Sequence, residues 1–329
     1  MSELATAAHP TSRAQLESRL EDHRRELSGY CYRMLGGTFD TDDAVQETMV
    51  RAWRALDKFD GRSSLRTWLY RIATNVCLDS LNGRNRRALP MDFGPASPPV
   101  AESLGERRAE ATWIQPMPDG EVLLPTADPA DLAIQRDSVR LAFVAALQHL
   151  PARQRVVLIL REVLRWSAAE VAELLDTTVA SVNSALQRAR ATLTEIDPDA
   201  DRPTGPMDDA QQHLLDDYVK AFTSYDIDAL VQLLQKDATA SMPPFALWLD
   251  GREDIAAWHV GPGHECRDSR LVPLAVNGSP AFAAYKPAPD GSHRPFSVQV
   301  LDLAGDKIAR ITYFLDTSLF ERFGLPPKL

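Results

Sequence analysis

Two stretches carry side chains suited to a polyanion. Over residues 64–82 the spacing predicts a helix with Leu65, Trp68, Leu69, Ile72 and Val76 on one side and Arg66, Tyr70, Arg71 and Thr74 on the other. Aromatic and guanidinium groups interleaved on one face can stack on unpaired bases and neutralise phosphate. Arg84, Arg86 and Arg87 follow at its end. The plainer reading is a core Trp and a basic last turn matched to the helix dipole. The second stretch is WSAAEVAELLDTTVASVNSALQRARATL, 166–193. Ser167 and Glu170 are spaced as a capping box, and Val171, Leu174 and Leu175 face inward. After a turn near Asp176–Thr178, Val179, Val182, Leu186, Ala189 and Leu193 share one face, and Ser181, Ser184, Gln187, Arg188 and Ala191 the opposite one. Small polar residues allow close approach to a major groove, and Arg reaches guanine or phosphate. An ordinary helical hairpin is the alternative.

A third stretch, 41–57, predicts an amphipathic helix with Val45, Met49, Ala52, Trp53 and Leu56 inside. Asp40 or Thr41 can cap it, and Asp42 and Asp43 suit its positive end. Asp43, Glu47, Arg51 and Arg54 face outward, as a solvated face or a charged docking surface.

The elements must be positioned by a chain of 329 residues with a formal net charge of -10. It is 44% apolar and 25% charged, which excludes a wholly disordered chain and a simple basic DNA-coating protein. No apolar run is long enough to span a bilayer, and the N-terminus lacks a signal-peptide core, so a cytoplasmic protein is expected. Residues 61–90 sum to +5, 91–130 to -5 and 196–329 to -8. Acidic neighbours weaken phosphate binding, so the intact chain should bind DNA poorly alone. Cys31, Cys77 and Cys266 stand far apart without CxxC, which argues against a disulfide framework and a cysteine zinc site.

Proline-rich stretches divide the chain. The expected units are a tail at 1–13, a helical block at 14–89, an acidic Pro-rich linker at 90–130, a helical block at 131–195 with helices at 132–150 and 152–164, a linker at 196–208, and a last domain at 209–329. That domain should open with a helix at 209–224. Strands are expected at 238–242, 246–250, 271–276, 281–286, 295–303 and 307–315, with Gly305-Asp306 as a hairpin turn.

The motif DTDDAVQETMVRAWRALDKFDGRSSLRTWLYRIATNVCLDSL, 40–81, resembles region 2 of extracytoplasmic-function sigma factors. LQHLPARQRVVLILREVLRWSAAEVAELLDTTVASVNSALQRAR, 147–190, resembles their region 4. LLDDYVKAFTSYDIDALVQLL and GREDIAAW, within 209–329, resemble a SnoaL-like, NTF2-like domain. The resemblance implies a multidomain fold. Two all-α sigma domains, a region 2 helical bundle and a region 4 helix-turn-helix, precede an α+β NTF2-like cone.

It also implies a sigma factor that binds core RNA polymerase, melts the -10 element and reads the -35 element. Asp43, Glu47, Arg51 and Arg54 would meet the clamp coiled coil of the largest subunit, and region 4 the flap region of the second-largest. Arg66, Tyr70, Arg71, Asn75, Arg84, Arg86 and Arg87 would hold the -10 strand, with Asn75 beside a pocket for a flipped base. Ser181, Asn183, Ser184, Gln187, Arg188 and Arg190 would contact the -35 element. Asn183 and Ala185 stand where many relatives carry basic residues, so phosphate contacts should be fewer. The acidic linker would span the two promoter elements.

In the last domain Trp248, Trp258, His259 and Tyr313 are expected around a pocket for a small-molecule ligand. Asp250, His259, His264, His293 and Asp316 are its general-base candidates, and no pair has diagnostic spacing. His259 and His264 with Glu265 and Cys266 make a weak metal pattern. No catalytic residue, metal or cofactor is therefore expected. The acidic domain should contact the sigma regions and gate them by facing their basic DNA-binding surfaces. The alternatives are a bifunctional protein with an isomerase-like third domain and a stand-alone helix-turn-helix regulator.

Overall fold

A computed structural model describes residues 13–196 and 207–329. Most of the tail and of the second linker expected above lies outside them. The first helices are α1 (Arg13–Asp22), α2 (Arg24–Leu35), α3 (Thr38–Ala55) and α4 (Leu65–Leu81). Ser64 caps α4 by accepting from the Thr67 amide at 3.0 Å. α3 starts earlier than its acids suggest. Gly37 is its cap, and Asp40 lies in the first turn. Trp53 is 53% exposed rather than inside, because the α3 stripe that packs on α2 and α4 is narrower than the apolar pattern.

The acidic linker is not a free spacer. Its Leu89, Ile114, Met117, Val122 and Leu123 are buried, and it forms a short helix α5 (Asp119–Val122). The helix expected over 132–150 is two, α6 (Pro129–Asp137) and α7 (Leu141–Gln148). α8 (Ala152–Leu158) runs on into a wider π turn, and α9 (Ala168–Leu174) and α10 (Val179–Ile196) follow. Ser167 and Glu170 form the capping box that starts α9.

The first four helices and α8–α10 share one core. Leu27, Tyr30, Met34, Leu69 and Tyr70 pack in the same cluster as Leu147, Val156, Ile159, Trp166 and Val171. Arg155, at the start of α8, is buried and donates to the Met34 carbonyl across this junction. Burial lowers its pKa to about 10, and four carbonyl oxygens around it stand in for a carboxylate.

The last domain begins with α11 (Asp209–Ser224) and α12 (Ile227–Leu233), and α13 (Arg252–Val260) lies between its second and third strands. The strands are β1 (Leu234–Ser241), β2 (Trp248–Asp250), β3 (Arg270–Val276), β4 (Ser279–Pro287), β5 (His293–Ala304) and β6 (Lys307–Phe314), before a last helix α14 (Leu319–Arg322). They form one sheet in the order β2-β1-β6-β5-β4-β3. β1 and β6 are parallel and the other pairs antiparallel. Side chains alternate along each strand. Phe282, Leu301, Ile311 and Tyr313 therefore meet Leu214, Tyr218, Phe222 and Trp258 on the helix side. Ala281, Ala283, Val298, Val300 and Phe314 face away, onto Tyr32, the linker and α7. Both faces are buried, so the middle strands read as continuous apolar runs.

Candidate nucleic-acid interface

The six -35 candidates, Ser181, Asn183, Ser184, Gln187, Arg188 and Arg190, lie exposed on α10. Val182, Leu186, Ala189 and Leu193 hold the opposite face of that helix in the core. The Arg188 guanidinium donates to Ser184 Oγ at 2.6 Å, and Arg190 pairs with Glu162 at 2.5 Å. Exposed pairs of this kind cost little to break, so both arginines can turn to phosphate or base.

The -10 candidates divide. Asn75, Arg84 and Arg86 are exposed. Tyr70 is wholly buried under Trp166, ring centroids 5.2 Å apart. Arg66 stacks on both rings, 5.1 Å from Tyr70 and 5.5 Å from Trp166, and pairs with Glu26 at 2.7 Å. Arg71 donates to the Glu173 carbonyl of α9 at 3.1 Å. In this arrangement the helix-turn-helix unit covers the aromatic and basic face of α4.

Arg87 departs from expectation. It is 5% exposed and donates to Asp40, Glu110 and the carbonyls of Glu110 and Trp113. Its guanidinium lies 2.5 Å from where a Cβ on Gly37 would sit, so that glycine is what lets it enter. Burial works to raise the Asp40 carboxyl, but Arg87 and then Arg84 prevail and hold it below its usual range. Arg87 is thus a structural clamp between α3 and the linker, not a free phosphate contact.

Asp43, Arg51 and Arg54 are exposed on α3 and Glu47 half-exposed, with Arg51 bridging Glu47 at 2.7 Å and Asp79 at 3.4 Å. Among the described residues these ion pairs stay within α3 and α4.

The last domain meets the sigma part elsewhere, and its acidity is not the means. Arg322 of α14 is the visitor, bidentate on Asp42 at 2.6 and 3.0 Å and paired with Glu121. The β3–β4 turn, Asn277-Gly278, enters the junction with φ of 55° and 68°. Two successive left-handed residues suit Asn-Gly and make a two-residue hairpin. Asn277 is buried. Its Oδ1 accepts from the Met117 amide at 2.8 Å, and its Nδ2 donates to Tyr32 Oη and to the Val139 carbonyl at 2.6 Å each. One side chain thus ties α2, the linker and the α6–α7 bend together. Arg33 adds a further tie, donating to Ser138 Oγ at 2.7 Å, with its pKa lowered to about 10 by burial.

The expected pocket residues do not assemble as a set. Trp248 packs outward and donates to the Gly94 carbonyl of the linker at 3.0 Å. Trp258, His259 and Tyr313 are buried in the cone, where His259 Nε2 lies 3.3 Å from Tyr313 Oη. Burial lowers the His259 pKa to about 4, so it is a neutral interior imidazole. Asp250 and His264 are exposed, His293 approaches the Asp268 carbonyl at 3.1 Å, and Asp316 pairs with Arg107 at 3.4 Å. Among the described residues no group of three His, Cys, Asp or Glu could hold a metal. Sequence reasoning missed Asn277, Arg322, Trp166 and Arg155. The Asn-Gly pair between apolar runs was a legible hairpin signal; the other three had none.

The geometry defines a protein with a helix-turn-helix reading head, a helical bundle bearing a stacking face, and an α+β cone docked on the strap between them. The comparisons give the family. Residues 20–87 match Sigma-70 region 2, and 140–193 match Sigma-70, region 4. The ECF RNA polymerase sigma factor SigG of Mycobacterium tuberculosis (strain ATCC 25618 / H37Rv) is 48% identical over 320 residues, 96% of this chain and 85% of the relative. The ECF RNA polymerase sigma-E factor of Escherichia coli (strain K12) is 32% identical over 151 residues, 46% of this chain and 70% of its own. The crystal structure of Mycobacterium tuberculosis extracytoplasmic function sigma factor SigJ shares the fold, with a TM-score of 0.59 at 22% identity over 94% of this chain and 99% of that one. The chain belongs to the extracytoplasmic-function sigma factors of RNA polymerase. Among the described residues no helix is long and apolar enough to cross a membrane.

Proposed function

We propose that this sigma factor is held shut by its own region 4 and by its C-terminal domain, and opens on core RNA polymerase to start transcription. One observation carries the reading. The stacking face of α4 is covered by Trp166 and α9, while the outer face of α3 stays exposed. Polymerase can therefore dock through Asp43, Glu47, Arg51 and Arg54 before the -10 residues are free. Docking on a long coiled coil, with region 4 drawn to a separate site, would pull the two regions apart. Arg66, Tyr70, Arg71 and Asn75 would then meet the melted -10 strand, with Arg84 and Arg86 on phosphate. Ser181, Asn183, Ser184, Gln187, Arg188 and Arg190 would read the -35 element. The C-terminal domain acts as a brace, tied in through Asn277 and Arg322. The site of action is the cytoplasm.

The test is run-off transcription by the full chain with core polymerase on a selected promoter pool. The parent should initiate, and Glu173→Arg, which sets like charge against Arg71, should initiate more strongly. No specific initiation and no core binding would overturn the sigma reading. Initiation unchanged in Glu173→Arg would overturn the closure by region 4.

A further inference from the structure

A cavity of about 850 Å³ opens where the cone meets the chain between the two sigma regions. Its apolar wall is Leu215 and Val219 of α11, Pro273 of β3, Phe282 of β4 and Leu301 and Leu303 of β5. Part of its rim lies outside the cone. Asp119 of α5, Arg136 of α6 and Arg140 just beyond it close one end. This volume and lining suit a small organic ligand.

The charges at the rim are unevenly satisfied. Arg140 pairs with Asp302 at 2.9 Å, and Lys220, on the α11 side, with Asp217 at 3.0 Å. Arg136 is half-buried, and its guanidinium has no hydrogen bond or ion pair among the described residues. Burial pushes the Asp119 carboxyl up against the opposing Gly278 amide and Arg136 charge, and Asp119 Oδ1 is taken by that amide at 2.7 Å. A half-buried guanidinium beside an apolar wall is an incomplete anion site, since its fork accepts a carboxylate in two parallel hydrogen bonds. Asp208 and Asp216 line the opposite, α11 side and disfavour an anion there.

We propose that this cavity binds a small amphipathic anion, its apolar body on the leucine and phenylalanine wall and its acid group on Arg136. The inference rests on the braced, closed reading above and names what would set it. The ligand touches the cone on one side and the region 2–region 4 strap on the other. It binds the closed form more tightly and shifts the population toward it. The link onward is short. The Arg136 carbonyl lies 2.6 Å from where a Cβ on Gly278 would sit, so α6 and the Asn277-Gly278 turn are in hard contact. Two residues on, Ser138 holds Arg33 of α2.

The test is calorimetric titration of the full chain with dodecanoate, dodecanol and dodecylammonium. Dodecanoate should bind one to one and saturably. Binding should weaken at least tenfold in Arg136→Gln, which removes the charge. It should weaken as much in Ala275→Trp, which fills the cavity from an exposed edge-strand position. Dodecanol and dodecylammonium should bind at least tenfold more weakly than dodecanoate. Absence of dodecanoate binding, equal binding of the three probes, or binding untouched by Arg136→Gln overturns the proposal. Should Ala275→Trp fail to fold, Arg136→Gln decides alone. Run-off transcription without probe reads the initiation function separately. Failure of the parent there would strike the initiation reading while leaving the binding result standing.

Discussion

Replacing Asn277 by alanine should open the molecule without unfolding it. In the closed form the substitution strips the Met117 amide and the Val139 carbonyl of their buried partners. Tyr32 keeps its own bond to the Gln115 carbonyl at 2.7 Å, so its hydroxyl is not orphaned. Each unsatisfied buried group costs ~1–3 kcal/mol. In the open form water satisfies both, so the cost falls on the closed form alone. The left-handed strain of Ala at this turn is common to both forms and cancels. Taking ~3 kcal/mol for the two groups, the closed-to-open ratio falls about 150-fold. A closed form favoured about 100 to 1 would drop to near parity, and affinity for the -10 strand would rise about 60-fold. The assay is fluorescence anisotropy of a single-stranded -10 oligonucleotide from a selected promoter, with circular dichroism to confirm the fold. A change of less than about threefold in a folded variant would refute the reasoning.

Three further outcomes are expected. Arg188→Ala should weaken -35 duplex binding by ~1–3 kcal/mol while leaving the unfolding midpoint unchanged, because the side chain is exposed and paired only with Ser184; gel-shift titration at fixed salt checks it. Arg54→Glu on α3 should lower affinity for core polymerase without affecting -10 strand binding, measured by surface plasmon resonance on immobilised core. His259, lowered to about 4 in the fold and near 6.5 when unfolded, leaves the unfolded chain binding more protons in that window. Its contribution is full above about pH 6.5 and is lost as pH falls toward 4. The loss reaches ~3 kcal/mol, and His259→Phe should flatten it in urea unfolding at pH 7 and 4.5.

Much of the fold was legible because its elements are locally determined. The capping box at Ser167 and Glu170 and the inward stripe of α10 fixed the helix-turn-helix. The helix expected over 209–224 is α11 to the residue, and each expected strand has its counterpart. Errors came where a neighbour decides. Trp53 fits an apolar stripe yet faces out, since the seam α3 packs on α2 and α4 is narrower than that stripe. Arg87 looked like its exposed neighbours Arg84 and Arg86 and is buried, because Gly37 leaves room for it 50 residues away in sequence. The linker looked like solvated spacer, its apolar residues too sparse for any period, and it is buried against a sheet face no sequence window contains.

By itself the sequence determined most of the helices and strands, which side chains are candidates to read DNA, and which family's motifs the chain carries. Those follow from periodicity, capping and residue chemistry within a few turns of chain. Only the tertiary structure decided which of those side chains are available. Tyr70 is hidden by Trp166, 96 residues further on, and Asn277 reaches Tyr32 across 245 residues. Such contacts depend on the packing of finished elements, and packing is set by shape and unsatisfied polar groups that meet only once the chain is folded.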